Sequence, residues 1–290
     1  MTALPRIAAN QRLAEDRRPL AVDLFCGLGG WSEGLLAEGW DVIGFDIEQH
    51  VYGEHRYPAQ LVIQDVLTLH GSQFGGANLI VCSPPCQEYS YMAMPWSRAK
   101  AKAAAIRADA TGKELERLNR LFNACFRLQR EACEAAGRHI PMVVENVRGA
   151  QEWVGAARWS FGSFMLWGDV PALMPATVRA SKVPGFRFDG SGRSFQSASV
   201  AETGIKGAGP SWDAAKGCGA HGMARWTNPA EGRKGAGAGA GAEWFDKNLC
   251  QLPSASPRRK AASAMIAKIP EPLARWIARC FLPRASEAAA

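Results

Sequence analysis

The apolar run Leu79-Ile80-Val81-Cys82 stops at Pro84-Pro85, and Cys86 and Gln87 follow. An apolar run closed by prolines reads as a short buried strand, because proline has no N–H with which to continue a ladder. Two further runs have the same form. Leu20–Phe25 leads into Cys26-Gly27-Leu28-Gly29-Gly30, and Met142–Glu145 closes on an acid. Val42–Asp46 and Gln60–Asp65 read as two more strands. Between them lie helical stripes: Trp31, Leu35 and Leu36 within 30–38, and Leu115, Leu118, Leu121, Phe122, Cys125, Phe126 and Leu128 within 114–136. Repeated β-α-β units of this kind predict an α/β, Rossmann-like domain with a mainly parallel sheet covered on both faces. Ligands of such sheets bind at the carboxyl ends of the strands. The glycine-rich turn, Cys86 and Glu145 should therefore share one edge.

Composition divides the chain. The formal net charge is +7, and all of it falls in residues 171–260, with 13 basic against 6 acidic residues. That stretch is rich in glycine and contains the low-complexity run Gly235–Gly241. It reads as a small loop-rich domain whose basic surface suits a polyanion. The expected organisation is a tail over 1–19, a catalytic domain over 20–170, a small domain over 171–257 and a C-terminal helix over 258–285. The helical stripe of Met265, Ile266, Ile269, Leu273, Trp276, Ile277 and Phe281 should pack that helix back on the large domain. No apolar stretch is long enough to cross a bilayer, and residues 1–19 lack the apolar core of a leader peptide. A cytoplasmic monomer with reduced cysteines is expected, with no membrane partner. The eight cysteines contain no C-x-x-C pair, so no metal site is expected.

Each strand end carries its own chemistry. Glycines let the backbone approach a ligand, and the helix N-terminus beyond them presents free N–H groups. Asp46, 19 residues after Gly27, is placed to accept ribose hydroxyls. A dinucleotide fingerprint would want a third glycine where Ser32 stands, which counts against NAD. Cys86 is a candidate nucleophile, and Glu145 a candidate acid.

In this order the three motifs resemble those of the DNA (cytosine-5)-methyltransferases, in particular a compact, phage-like branch, over roughly residues 20–149. The resemblance implies S-adenosylmethionine as cofactor and a Rossmann-like methyltransferase domain joined to a target-recognition domain at 171–257. By motif position Phe25 would meet the adenine, Asp46 the ribose and Asp65 the adenine amino group. Gly27, Gly29, Gly30, Ile47 and Pro84 would line the same pocket. Cys86 would add to carbon 6 of cytosine, since a thiolate adds readily and leaves again. Glu145 would protonate N3. Pro85, Gln87, Ser90 and Asn146 would support them. Residues 83–113 would form a loop over a base flipped out of double-stranded DNA, with Arg98, Lys100, Lys102 and Arg107 near phosphates; Arg98–Arg107 could instead be an exposed helix face. Arg179, Lys182, Arg187, Arg193 and Arg225 would contact DNA from the small domain.

The chain also departs from the family. No Gln-x-Arg-x-Arg follows Glu145, and no Gly-Asn precedes the last helix. An RNA cytosine-5 methyltransferase and a silent DNA-binding protein of the same fold remain as alternatives. An NAD-dependent oxidoreductase would leave Cys86 and Glu145 without a role.

Overall fold

A computed structural model describes residues 18–90, 96–162, 164–172 and 256–283. The apolar runs form strands β1 (Leu20–Leu24), β2 (Asp41–Asp46), β5 (Gln60–Ile63), β6 (Leu79–Cys82) and β7 (Met142–Val147). A two-stranded hairpin, β3 (Val51–Tyr52) with β4 (His55–Arg56), stands apart from the main sheet. Strands β8 (Trp159–Phe161) and β9 (Phe164–Gly168) complete the sheet, in the order β5-β2-β1-β6-β7-β9-β8. The pairs β5–β2, β2–β1, β1–β6 and β6–β7 are parallel, and β7–β9 and β9–β8 are antiparallel. This is the mainly parallel α/β sheet that the alternation predicts.

Helices cover both faces. On one, α1 (Gly30–Ala37) meets α6 (Glu271–Phe281) over Leu35, Trp40, Leu273 and Ile277, all fully buried. The crossing is close. A Cβ on Gly34 would lie 2.4 Å from Ala274 Cβ and 2.7 Å from Arg275 N, so only glycine fits. Arg275 and Arg279 both bind Glu38, and the Trp40 indole donates to Ala278 O. The other face packs on α3 (Lys113–Ala136) through Phe122, Cys125, Leu128 and Ala132. Helices α2 (Trp96–Ala108), α4 (Gln151–Val154) and α5 (Pro257–Ala267) make up the remainder. Among the described residues no helix is long and apolar enough to cross a membrane.

Four expectations change. The fifth strand runs past Glu145 to Val147, because the antiparallel partner β9 carries the ladder on through Asn146↔Met165 and Val147↔Phe164. Strand β1 ends at Leu24 because Phe25 adopts a left-handed φ of 57°. The 83–113 segment is not simply a loop, since α2 spans thirteen of its residues. The C-terminal helical stripe is two helices, broken at Pro270, which caps α6 because it cannot continue α5.

The chain divides into two compact units, residues 1–175 with 269–290, and residues 176–268. The described part of the second is mainly α5. Arg179, Lys182, Arg187, Arg193, Arg225 and the run Gly235–Gly241 lie outside the described residues.

Candidate active site

Three neighbouring strands set the site. Register places Leu24 beside Cys82, and Cys82 beside Val144. The glycine turn, the cysteine segment and Glu145 thus leave or flank adjacent parallel strands at one carboxyl edge.

The turn after β1 is tightly wound. Phe25, Gly27 and Gly29 all have left-handed φ, at 57°, 52° and 78°. For phenylalanine that conformation is strained, and strain of this kind persists where the surroundings enforce it. Phe25 is held by partial burial against the core and by its neighbour's hydrogen bond, Cys26 N to Phe45 O at 3.2 Å. Gly29 caps α1, and a Cβ there would come within 2.4 Å of Pro58. A Cβ on Gly27 would meet nothing within 4 Å, so open space faces that side of the turn. Gly30 opens α1 and is buried.

Asp46 ends β2 and is 9% exposed. Its Oδ2 accepts from Gly27 N at 2.9 Å, and its Oδ1 from Ile47 N at 2.8 Å and Glu48 N at 3.4 Å. Burial alone would raise its pKa. The hydrogen bonds from His50 and from the Gly27 N–H outweigh it and hold the carboxyl below its ordinary value. The result is an ionised acceptor anchored to the glycine turn. Ile47 beside it is 68% exposed, and Ile63, opposite Asp46 on β5, is 54% exposed. Exposed branched side chains beside a fixed carboxylate suit a ligand with a flat apolar part and hydroxyls. Glycine turn, carboxylate and apolar rim together fit the nucleoside half of S-adenosylmethionine. Asp65, expected at the adenine, caps a 3-10 turn over Val66–Thr68 by accepting from Leu67 N at 2.9 Å.

The cysteine segment is tied on two sides. Ser83 Oγ accepts from the Trp31 indole at 3.0 Å, and Pro84 O accepts from Asn146 Nδ2 at 2.9 Å. Pro84 is buried and Pro85 exposed. Cys86 is partly exposed, and its carbonyl accepts from Tyr89 N and Ser90 N, closing a turn that carries Gln87 into solvent. Two nearby cysteines are of another kind. Burial drives the Cys26 and Cys82 thiols far above their ordinary pKa, which leaves them inert. Glu145 lies inside β7 at 5% exposure, and Asn146 at 1%.

Of the basic residues expected near phosphates, Arg98 and Lys100 are exposed on α2. Lys102 instead binds the Glu88 carboxylate and its backbone carbonyl, and Arg107 binds Glu152 and lies 5.7 Å over the Trp153 ring. These two pin α2 to its surroundings in this structure.

Sequence reasoning missed a buried network beneath the turn. Ser32 donates to Asp23 Oδ2 at 2.6 Å, and the Tyr57 hydroxyl lies 2.6 Å from Ser32 Oγ. Asp23 Oδ1 is buried without a hydrogen-bond partner. Burial raises the Asp23 pKa to about 7. Ser32, noted above only as an absent glycine, is thus a packed and bonded residue. A polar residue at an inward position of β1 was the one available signal.

Residues 21–101 match the model of the C-5 cytosine-specific DNA methylase family. The resemblance drawn from the motifs is thus matched by the family model over that stretch, and this family uses S-adenosylmethionine as its methyl donor. No curated protein matches the chain. Among solved structures, an E. coli prophage protein assigned as a DNA modification methyltransferase is 25% identical over 47% of this chain and 35% of its own, with a TM-score of 0.31. The Dnmt2 methyltransferase of S. pombe is 15% identical over 48% and 37%, at 0.29. The Entamoeba histolytica methyltransferase EhMeth is 17% identical over 48% and 41%, at 0.31. The chain therefore spans well under two thirds of each of these structures.

Proposed function

We propose that this chain, whose residues 21–101 match the C-5 cytosine-specific DNA methylases, methylates carbon 5 of cytosine in double-stranded DNA, with Cys86 as nucleophile and Glu145 as acid. The observation that carries the proposal is the adjacency of β1, β6 and β7, which sets the glycine turn, the Cys86 segment and Glu145 along one edge.

S-adenosylmethionine supplies an electrophilic methyl group when bound. The protein's own groups do the rest. Gly27, Asp46 and Ile47 hold the nucleoside. The Cys86 thiolate adds to carbon 6 of the base, which makes carbon 5 a carbon nucleophile. Glu145 donates a proton to N3 and so neutralises the charge that the addition drives there. This role needs the carboxyl in its uncharged form. Once carbon 5 carries the methyl group, loss of its proton to solvent expels the thiolate, and N3 returns its proton to Glu145, which restores the neutral ring and the acid. A base inside a duplex cannot reach Cys86, so it must leave the stack. Residues 171–257 serve in this reading as the target-recognition domain, supported by their excess of basic residues.

Bisulfite sequencing of both DNA and RNA from cells expressing the protein tests the reading. New protection of cytosines in DNA at a recurring sequence is expected. Protection confined to RNA would move the activity to the other nucleic acid. No protection in either, with purified protein also inactive on both, would reject it.

A further inference from the structure

Asp46 has a neighbour that the motifs do not assign. His50 follows β2 by four residues, with its Nε2 3.5 Å from Asp46 Oδ1 and its Nδ1 3.7 Å from Glu48 Oε1. Its ring centre lies 6.2 Å from that of Tyr52, at the start of the β3–β4 hairpin. Beyond the hairpin, Tyr57 and Pro58 come back against the turn at Gly29, and Tyr57 also fills the space over Gly44. The segment 47–58 therefore leaves the end of β2 and returns to the glycine turn. His50 stands where it leaves.

The contacts to Asp46 differ in kind. Those from Gly27, Ile47 and Glu48 are backbone N–H groups fixed by the turn. The one from His50 is longer and comes from a side chain that can rotate. A carboxylate offers about four acceptor positions, and a ribose diol directed at it needs up to two. The His50 side is the one that can yield. We propose that His50 is a positioning residue of the cofactor cleft, holding Asp46 Oδ1 until ribose hydroxyls take its place. The inference rests on the reading of Asp46 as the ribose acceptor.

Charge sets the strength of that hold. Both ring nitrogens face carboxylate oxygens, and only imidazolium has a donor on each. The charged ring is therefore held more firmly than the neutral one, and the nucleoside must displace it at greater cost. Cofactor affinity should be lower at acid pH and should rise towards neutrality. Other titratable groups surround the pair. The Asp46 charge raises the pKa of Asp23 on β1 and of Cys26 in the turn, Tyr57 is linked to Asp23 through Ser32, Tyr52 lies beside His50, and His55 and Arg56 form the facing strand of the hairpin. Asp23, whose pKa burial raises to about 7, also changes charge across neutral pH, so the pH profile identifies His50 only through a variant.

The experiment is calorimetric titration of the full chain with S-adenosylhomocysteine at pH 5.5, 6.5 and 7.5, for the wild type, His50→Gln and Asp46→Asn. The wild type should bind about five- to tenfold more tightly at pH 7.5 than at 5.5, the scale set by a roughly tenfold change in the proton affinity of one linked group. His50→Gln should flatten that difference to about twofold or less, with tighter binding than wild type at pH 5.5. Melting of each variant checks the fold, and His50→Asn takes the place of any His50→Gln protein that does not fold. A His50 variant that keeps the wild-type pH profile overturns the inference while leaving the ribose reading intact. Asp46→Asn binding as tightly as wild type, or no binding by any form, rejects the ribose reading and the inference with it.

Discussion

Asn146 Nδ2 donates to Pro84 O at 2.9 Å, joining β7 to the segment that carries Cys86. The Asn146 side chain also accepts from Val147 N, and the residue is 1% exposed. The bond spans 62 residues of sequence, and it fixes the nucleophile candidate against the strand of the acid candidate. Asn146→Ala should leave a buried carbonyl unsatisfied and cost about 1–3 kcal/mol in stability. Because Pro84 lies two residues before Cys86, turnover should fall by about tenfold or more, with S-adenosylhomocysteine affinity within a few-fold of wild type. Urea unfolding and single-turnover methylation check the two halves. Normal turnover in a destabilised variant would make the bond purely structural.

Cys86→Ala should abolish methyl transfer and leave cofactor affinity within a few-fold, because the glycine turn and Asp46 bind the nucleoside without it. Tritiated methyl incorporation and calorimetry measure the two quantities. Cys26 and Cys82 cannot take over, since burial keeps both as thiols. Residual transfer at the wild-type rate would end the covalent reading.

Much of this was legible in the sequence because buried parallel strands are short, continuous apolar runs. Leu79–Cys82 was placed to the residue. What failed depended on distant partners. Nothing local says that β7 continues past Glu145, because the ladder that extends it comes from Phe164 to Gly168. Helix α2 is legible only as an alternative to a loop, for another reason. Its buried face is Ala99, Ala103 and Ile106, and alanine gives little hydrophobic signal. The β3–β4 hairpin turns on Gly53, at φ 62°, between strands of two residues each, too short for any alternation to register. Within the site, Asp46 stands out because it closes a strand run, and Cys86 because it follows one across two prolines. His50, Ser32 and Tyr57 gain their meaning only from contacts made by the folded chain.

Glu145→Gln should lower the single-turnover rate by about 10²–10⁴-fold, the usual contribution of a general acid. Glutamine can still hydrogen-bond N3 but cannot give up a proton in the same way. DNA affinity, measured by fluorescence anisotropy, should change far less. A rate within about threefold of wild type would leave Glu145 as a packing residue of β7.

Neutralising two of Arg179, Lys182, Arg187, Arg193 and Arg225 should flatten the salt dependence of DNA binding by up to about two in log–log slope, one for each lost phosphate contact. S-adenosylhomocysteine affinity should not move. An unchanged slope in all such pairs would remove residues 171–257 from the phosphate interface.

Asp23 should make stability depend on pH in the direction opposite to that of a salt-bridged carboxylate. Its pKa rises from 3.8 to about 7 in the folded chain, chiefly through burial, against the lowering effect of the Ser32 hydrogen bond. Between those two values the folded state keeps a proton that the unfolded state has released. The folded state is therefore favoured at low pH and loses that advantage as pH rises from about 4 to 7, with no further loss above. The full effect is on the order of 4 kcal/mol, since each tenfold change in proton affinity is worth about 1.36 kcal/mol. Asn at this position has no charge to bury and retains an oxygen for Ser32. Asp23→Asn should therefore gain stability relative to wild type as pH rises from 5 to 8, read as a growing difference in Tm by differential scanning calorimetry. Equal differences at pH 5 and pH 8 would show that Asp23 titrates at an ordinary value and that solvent reaches the carboxyl beneath the glycine turn.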